Sequence, residues 1–364
     1  MIAINQLDRQ FQSLKKEFLS AMERVIDSGH FIVGHEVKRF EEEVCHYLDI
    51  EYAVSVGNGT DALILALHAL NIGEGDEVIT TPFTFFATAE AISRVGAIPV
   101  FVDIDPTTYN LNVNLIEEKV TSKTKAIIPV HLFGQGCEMK KIQEIAKEYQ
   151  LFIIEDACQA FGIELGDKKL GTIGDIGCFS FFPTKNLSTI GDGGLVVTKN
   201  KKIAERIKKL RHHGSEKKYH HSEVGYNSRL DEIHAAFLRI CLGKIDEWNQ
   251  RRNVLAQRYQ CLKELKGVKI PNGVTNLSHG YHLYCIEHSK RNELKEFLDD
   301  KGIGCGIYYP VPLHLQSVYR ILGYHVGDFP RAEEAAKVIL AIPLHPFMTD
   351  NEQDEVIRVL QEFK

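Results

Sequence analysis

The sequence is short of the features that would mark a secreted, membrane-bound or nucleic-acid-binding chain. Its opening, MIAINQLDRQFQSLKKE, has no apolar core of signal-peptide length, and no uninterrupted apolar run is long enough to span a bilayer. The expectation is a cytoplasmic protein with no membrane partner. An excess of positive charge is also missing: 43 Lys and Arg stand against 49 Asp and Glu, a formal net charge of -6, which gives no general attraction for nucleic acid. No CxxC pair occurs among the eight cysteines, several of which sit inside apolar segments, so small buried thiols are expected rather than a disulfide framework. No GK[ST] follows a glycine loop and no GxGxxG occurs, and Gly171, Gly174 and Gly177 are a weak substitute. Internal repeats and low-complexity tracts are absent as well.

What is present is an alternation. Phe11, Leu14, Phe18, Met22 and Ile26 recur at helical spacing over 8–28, and a second helix is expected near 37–48. Strands at 51–56, 77–81, 98–103, 125–131 and 151–154 then alternate with helices at 61–70, 84–94, 114–121 and 138–149. Two more strands, 178–182 and 194–198, flank a glycine-bearing loop. This order indicates an α/β protein with a large, mostly parallel sheet covered by helices on both faces. Ligands are expected outside the carboxyl ends of its strands. A long helical region over 231–266 holds the expected hinge, and strands at 282–287 and 303–309 with helices at 290–300 and 351–363 suggest a smaller α+β unit. The division expected is 1–240 for the large domain and 241–364 for the linking helix and small domain.

Three segments carry chemical signals. In LFIIEDA the apolar strand runs directly into Glu155 and Asp156, so at least one carboxylate lies at the sheet edge; a buried one needs a partner, and a helix-capping role for Asp156 is an equal alternative. In CFSFFPTKN, Lys185 follows an apolar strand beside Gly191, Gly193 and Gly194. Partial desolvation there would lower its pKa and free its amine as a nucleophile, whereas taken alone a solvated loop lysine is the plainer reading. In VGNGTDALILALHAL, two glycines turn a strand into a helix, offering backbone N–H groups and the Thr60 hydroxyl to a phosphate; a capped structural turn is the alternative. His212, His213, His220, His221 and His314 are spaced too irregularly for the usual zinc ligand sets, so no metal is expected.

Joined, these segments bear a resemblance over essentially the whole chain to the DegT/DnrJ/EryC1/StrS sugar aminotransferases. It is carried by GNGTDAL at 57–63, TPFTFFATAEAI at 81–92, FVDID at 101–105, PVHLFG at 129–134, IEDACQAFG at 154–162, FSFFPTKNLSTIGDGG at 179–194, GYNSRLDEIHAA at 225–236 and PLH at 312–314. The resemblance implies the fold-type I architecture of aspartate aminotransferase and pyridoxal 5'-phosphate as cofactor. It implies Lys185 as the covalent anchor and proton carrier, Asp156 at the pyridine nitrogen, Phe85 stacked on the ring and Gln159 near its phenolic oxygen. Gly59, Thr60 and Ser180 would hold the phosphate, with Asn227 reaching it from the second subunit of a homodimer with shared active sites. Arg229, Tyr308 and His314 are weaker candidates for substrate contacts.

The implied reaction is ping-pong transfer of an amino group from L-glutamate to a nucleotide-linked keto sugar. The run GYNSRLDEIHAAFLRI followed by LGKIDEWNQRRNVLAQRY resembles the branch acting on dTDP-3-oxo-6-deoxyhexoses. Amination at the sugar C4 and a non-catalytic regulatory protein on the same fold are the alternatives. Lys185 argues against the family's dehydratases, which carry histidine there.

Overall fold

Short runs of aliphatic and β-branched residues pair into one sheet, and the helices between them bury an apolar face on either side of it. The computed structural model describes residues 1–271 and 279–363. Seven strands, β1 (Tyr52–Val56), β2 (Glu77–Thr80), β3 (Ile98–Phe101), β4 (Thr124–Ile127), β5 (Phe152–Asp156), β6 (Ile176–Ser180) and β7 (Gly194–Thr198), lie in the order β1-β7-β6-β5-β4-β2-β3. Only β7 is reversed, running antiparallel to both β1 and β6, while the other pairings are parallel. Val56 and Ser180 therefore both face Gly194 at the same edge of the sheet.

Helices α1 (Leu7–Ser13), α2 (Lys15–Ser28) and α3 (His35–Leu48) open the chain, followed by α4 (Gly59–Ala69), α5 (Ala87–Arg94), α6 (Met139–Tyr149), α7 (Lys201–Leu210) and α8 (Glu232–Leu242). On one face, α4, α5 and α7 bury residues such as Leu65, Ile92 and Ile207 against Val54, Ile154 and Val196. On the other, α2, α3 and α8 cover Phe179, Leu195 and Val197, and α6 covers Ile79, Ile127 and Ile153. Burial on both faces accounts for the nearly continuous apolar strands.

Beyond α8, helix α9 (Ile245–Arg258) leads into an antiparallel sheet of β8 (Val268–Lys269), β9 (Tyr284–His288) and β10 (Ile339–Ile342), with α10 (Arg291–Asp300), α11 (Pro330–Val338) and α12 (Asp350–Glu362). The first residues of the chain join this unit: Ile2 forms a parallel bridge with Ile303, and Gly304 N donates to Ile2 O at 2.8 Å.

Several expected elements differ. The helix over 8–28 is interrupted at Leu14, whose backbone leaves the helical region. The helix at 114–121 is two short 3₁₀ turns, the first capped by the Asn112 side chain. The region 231–266 breaks at Gly243 and Lys244 and ends in a 3₁₀ segment. Residues 303–309 form no strand and contribute only single bridges at Ile303 and Gly306. Helix α11 and strand β10 escaped the sequence reading. Pro330 starts α11, and Asp103, from FVDID, accepts the N–H groups of Arg331 and Ala332 at 2.9 Å, so the cap lies far away in sequence.

Candidate active site

Strand β5 runs two residues beyond the end its apolar pattern suggests, so Glu155 and Asp156 lie within it and point to opposite faces. Glu155 is wholly buried. It accepts the N–H groups of Gly171, Ile173 and Gly174 at 2.8, 2.7 and 2.6 Å, and the fourth donor is His131 Nε2 at 2.8 Å. Cys137 N donates to His131 Nδ1 at 3.2 Å, which puts the imidazole proton on Nε2. The spaced glycines thus serve a carboxylate and a tight crossing. A Cβ on Gly177 would stand 1.9 Å from Gly171 O.

Asp156 faces the other way, onto a cavity of about 940 Å³. It is 6% exposed, its Oδ2 accepts from Thr88 Oγ1 at 2.8 Å, and its Oδ1 accepts from Cys158 N at 3.2 Å. No helix begins after it, which removes the capping alternative; turns fill 157–162. Among the described residues no Lys, Arg or His pairs with this carboxylate, so its remaining lone pairs are available to a cation inside the cavity.

Lys185 reaches the same cavity from the loop after β6. Burial pushes its ammonium pKa down from the ordinary value, while Cys158 and Asp156 act in the opposite direction. The loop is fixed on both sides of the lysine. Asn186 Nδ2 donates to Asn249 Oδ1 and to Gly280 O, each at 2.9 Å, and Gln10 Nε2 donates to Ser188 Oγ at 3.0 Å. Lys185 is thus a half-buried side chain on a fixed loop.

A third wall is the start of α4. Asn58 caps the helix, its Oδ1 accepting from Asp61 N at 2.8 Å, and Ala62 N donates to Asn58 O. The amides of Gly59 and Thr60 precede these bonds, at the positive end of the helix. A Cβ on Gly59 would stand 2.8 Å from Ser180 Cβ and 3.1 Å from Cys158 Sγ, so only glycine lets the helix start approach β6 this closely. Gly59, Thr60 and Ser180 all line the cavity. A helix start with free amides, two hydroxyls, an unpaired carboxylate and a desolvated amine fit the phosphate, ring nitrogen and aldehyde of pyridoxal 5'-phosphate.

The remaining candidates divide. Gln159, Phe85 and Tyr308 line the cavity. Gln159 Oε1 accepts from Phe133 N at 2.7 Å, and its Nε2 donates to Tyr309 Oη at 3.3 Å. Phe85 is 58% exposed, with its ring 6.3 Å from that of Tyr309. Asn227 and Arg229 are not among the residues around this cavity; Asn227 is exposed and bridges His212. His314 is 1% exposed, is not among the residues lining this cavity, and its Nε2 is 3.2 Å from Glu333 Oε1. No group of His, Cys, Asp and Glu that could hold a metal occurs among the described residues. Sequence reasoning missed Tyr309, Thr88 and His282, which also bear on the cavity or its carboxylate. The tyrosine pair at 308 and 309 is a signal for Tyr309, and Thr88 lies within TPFTFFATAEAI.

Known proteins share this arrangement. The profile of the DegT/DnrJ/EryC1/StrS aminotransferase family matches residues 12–361. The chain is 46% identical over 360 residues to a pleiotropic regulatory protein of Geobacillus stearothermophilus, covering 98% of this chain and 97% of that one. It is 40% identical over 355 residues to the dTDP-3-amino-3,4,6-trideoxy-alpha-D-glucose transaminase of Streptomyces venezuelae, covering 97% and 93%. The crystal structure of S. venezuelae DesV in complex with a ketimine intermediate superposes with a TM-score of 0.97 at 39% identity, covering 99% of this chain and 98% of that one. The chain belongs to the DegT/DnrJ/EryC1/StrS aminotransferase family, and its cofactor is pyridoxal 5'-phosphate.

Proposed function

We propose that this enzyme transfers an amino group from L-glutamate to a dTDP-3-oxo-6-deoxyhexose, giving a dTDP-3-amino-3,6-dideoxyhexose and 2-oxoglutarate. The observation that carries this reading is the meeting of Lys185 and Asp156 in one cavity whose rim includes Tyr308 and Tyr309. Similarity to the Streptomyces venezuelae transaminase supports the dTDP-linked 3-keto sugar over a 4-keto sugar.

When bound, pyridoxal 5'-phosphate supplies an electron sink for the pair left behind as a carbon-bound proton departs. Lys185 Nζ, made less basic by burial, would serve there as the base and then the acid. Asp156, oriented by Thr88 and Cys158 N, would hold the ring nitrogen and keep it protonated. Gly59, Thr60 and Ser180 hold the phosphate. Gln159, fixed by Phe133 N, presents its amide beside Tyr309, and Phe85 covers the ring. Asn227 and Arg229 act across the interface of a homodimer, which accounts for their lying away from the cavity of their own chain. The same reading takes 1–240 and 241–364 as large and small domains and places the protein in the cytoplasm. No helix among the described residues is long and apolar enough to cross a membrane.

The test is the absorbance of the purified protein with pyridoxal 5'-phosphate, before and after L-glutamate and then with keto sugars. Loss of the cofactor band with glutamate and its return with a dTDP-3-keto sugar, but not with a 4-keto or UDP-linked one, is the expected result. The name of the Geobacillus relative favours a second reading, a regulator without catalysis. Bound cofactor that stays unchanged with glutamate and every keto sugar would make that reading the better one.

A further inference from the structure

We propose that His282, backed by Arg252, receives a carboxylate of the amino donor; the inference deepens the transaminase reading and rests on it. His282 lines the cavity that Lys185 enters and is 6% exposed. Its backbone is held rigidly, because His282 N donates to Phe133 O and Gly280 N to Gly134 O, both at 2.9 Å. The ring is thereby fixed against the loop that also positions Gln159.

Its protonation follows from its surroundings. Nδ1 is buried without a hydrogen-bond partner among the described residues. A neutral imidazole carries one N–H, and burying an unpaired donor is less tolerable than burying an unpaired acceptor. The proton therefore belongs on Nε2, the nitrogen left to face the cavity. Burial first, and then the positive charges of Lys185 and Arg252, hold the ring neutral by pushing its pKa well below the ordinary histidine value. The result is a fixed, uncharged N–H donor in the same cavity as the reacting amine.

Arg252 supplies the charge behind it. It is 4% exposed, and its Nη1 donates to Tyr281 O at 3.0 Å and Leu344 O at 3.2 Å, while Nε has no partner among the described residues. Tyr281 immediately precedes His282. Burial lowers the arginine pKa to about 10, which leaves it charged at neutral pH. Among the described residues no carboxylate pairs with it, and an uncompensated buried cation favours an anion close by. Elsewhere the cavity is less welcoming: Asp61, Glu90, Asp156 and Asp192 line it, and Arg94 is engaged by Glu90 at 3.5 Å.

An amino acid carries its α-carboxylate on the reacting carbon itself, so that group must lie near Lys185. The diphosphate of a nucleotide sugar is several bonds from the keto carbon and has no such constraint. The geometry thus points to the carboxylate of the donor rather than to the nucleotide.

The experiment compares the wild type with His282→Phe and His282→Gln, all loaded with cofactor. L-glutamate and the keto sugar are titrated separately through the two half-reactions, and glutarate, which has both carboxylates but no amine, is titrated by calorimetry. Loss of a hydrogen bond to a charged group predicts that His282→Phe weakens glutamate and glutarate by roughly tenfold or more, with the keto-sugar half-reaction changed by less than about twofold. His282→Gln, which keeps an N–H, should retain most of the affinity. Unchanged glutarate binding in a folded His282→Phe protein, or a loss confined to the sugar, overturns the assignment. If His282→Phe does not fold, His282→Met removes the same donor and is held to the same outcomes. Glutarate affinity that depends on His282 in a protein that never accepts an amino group from glutamate would support the carboxylate site and overturn only the transaminase reading.

Discussion

Glu155 and Asp156 are neighbours of the same charge on one strand, yet the protein treats the two faces of β5 in opposite ways. On the closed face, Glu155 has four donors, three of them backbone amides, and no contact with the cavity. On the open face, Asp156 has two and keeps capacity for a cation, since no Lys, Arg or His among the described residues pairs with it. A buried carboxylate saturated by its own chain is part of the scaffold; one left partly unsatisfied at a cavity is prepared for a ligand.

That contrast is breakable by substitution. The largest effect on turnover is expected for Lys185→Ala, which removes base, acid and covalent anchor together; a fall of at least about 10³-fold in steady-state amino transfer is the outcome that upholds its role. Asp156→Asn should come next, with fold and cofactor retained but the rate lowered roughly 10²- to 10³-fold, because an ionic partner becomes a neutral amide. Single-turnover kinetics would reveal an unaltered rate if the open-face carboxylate had no such task. Thr88→Val, which leaves Asp156 in place but removes one of its two donors, should cost only about tenfold in rate.

Smallest in turnover per folded molecule should be Glu155→Gln, although it is the most damaging to stability. An amide NH₂ would then confront the N–H groups of Gly171, Ile173 or Gly174, and a loss of about 3–5 kcal/mol is expected in denaturant melts. A Glu155→Gln protein as stable as wild type would erase the distinction between the two faces.

A pH measurement sharpens the open face further. The folded-state pKa of Lys185 lies below its ordinary value of 10.5. Between the lowered value and 10.5 the unfolded chain binds more protons, so the cofactor-free protein gains stability as pH rises through that window. Lys185→Met should lose this dependence, which thermal melts at a series of pH values would detect.

Part of this site was legible in the primary structure. The start of α4 was, because a glycine turn and an Asn cap within GNGTDAL act over a few residues. Lys185 and Asp156 were, through the pattern of their surrounding segments. Helix α11 was not, since its cap, Asp103, stands more than 220 positions earlier. The burial of His314 against Glu333 was not legible for a related reason, since it follows from how distant segments pack. Tyr309 and His282 lie in a C-terminal stretch where neither local periodicity nor glycine spacing marks an approach to β5.

By itself the sequence determined the strand and helix alternation, the glycine turn that starts α4 and the family, because each is written in residues close together or in a familiar order. Only the tertiary structure decided which carboxylate of the pair faces the cavity, why three glycines gather around the other, and that a neutral histidine with a buried arginine behind it joins the wall. Those facts depend on strand register, on hydrogen bonds between distant segments and on which groups are left without partners once the chain has packed.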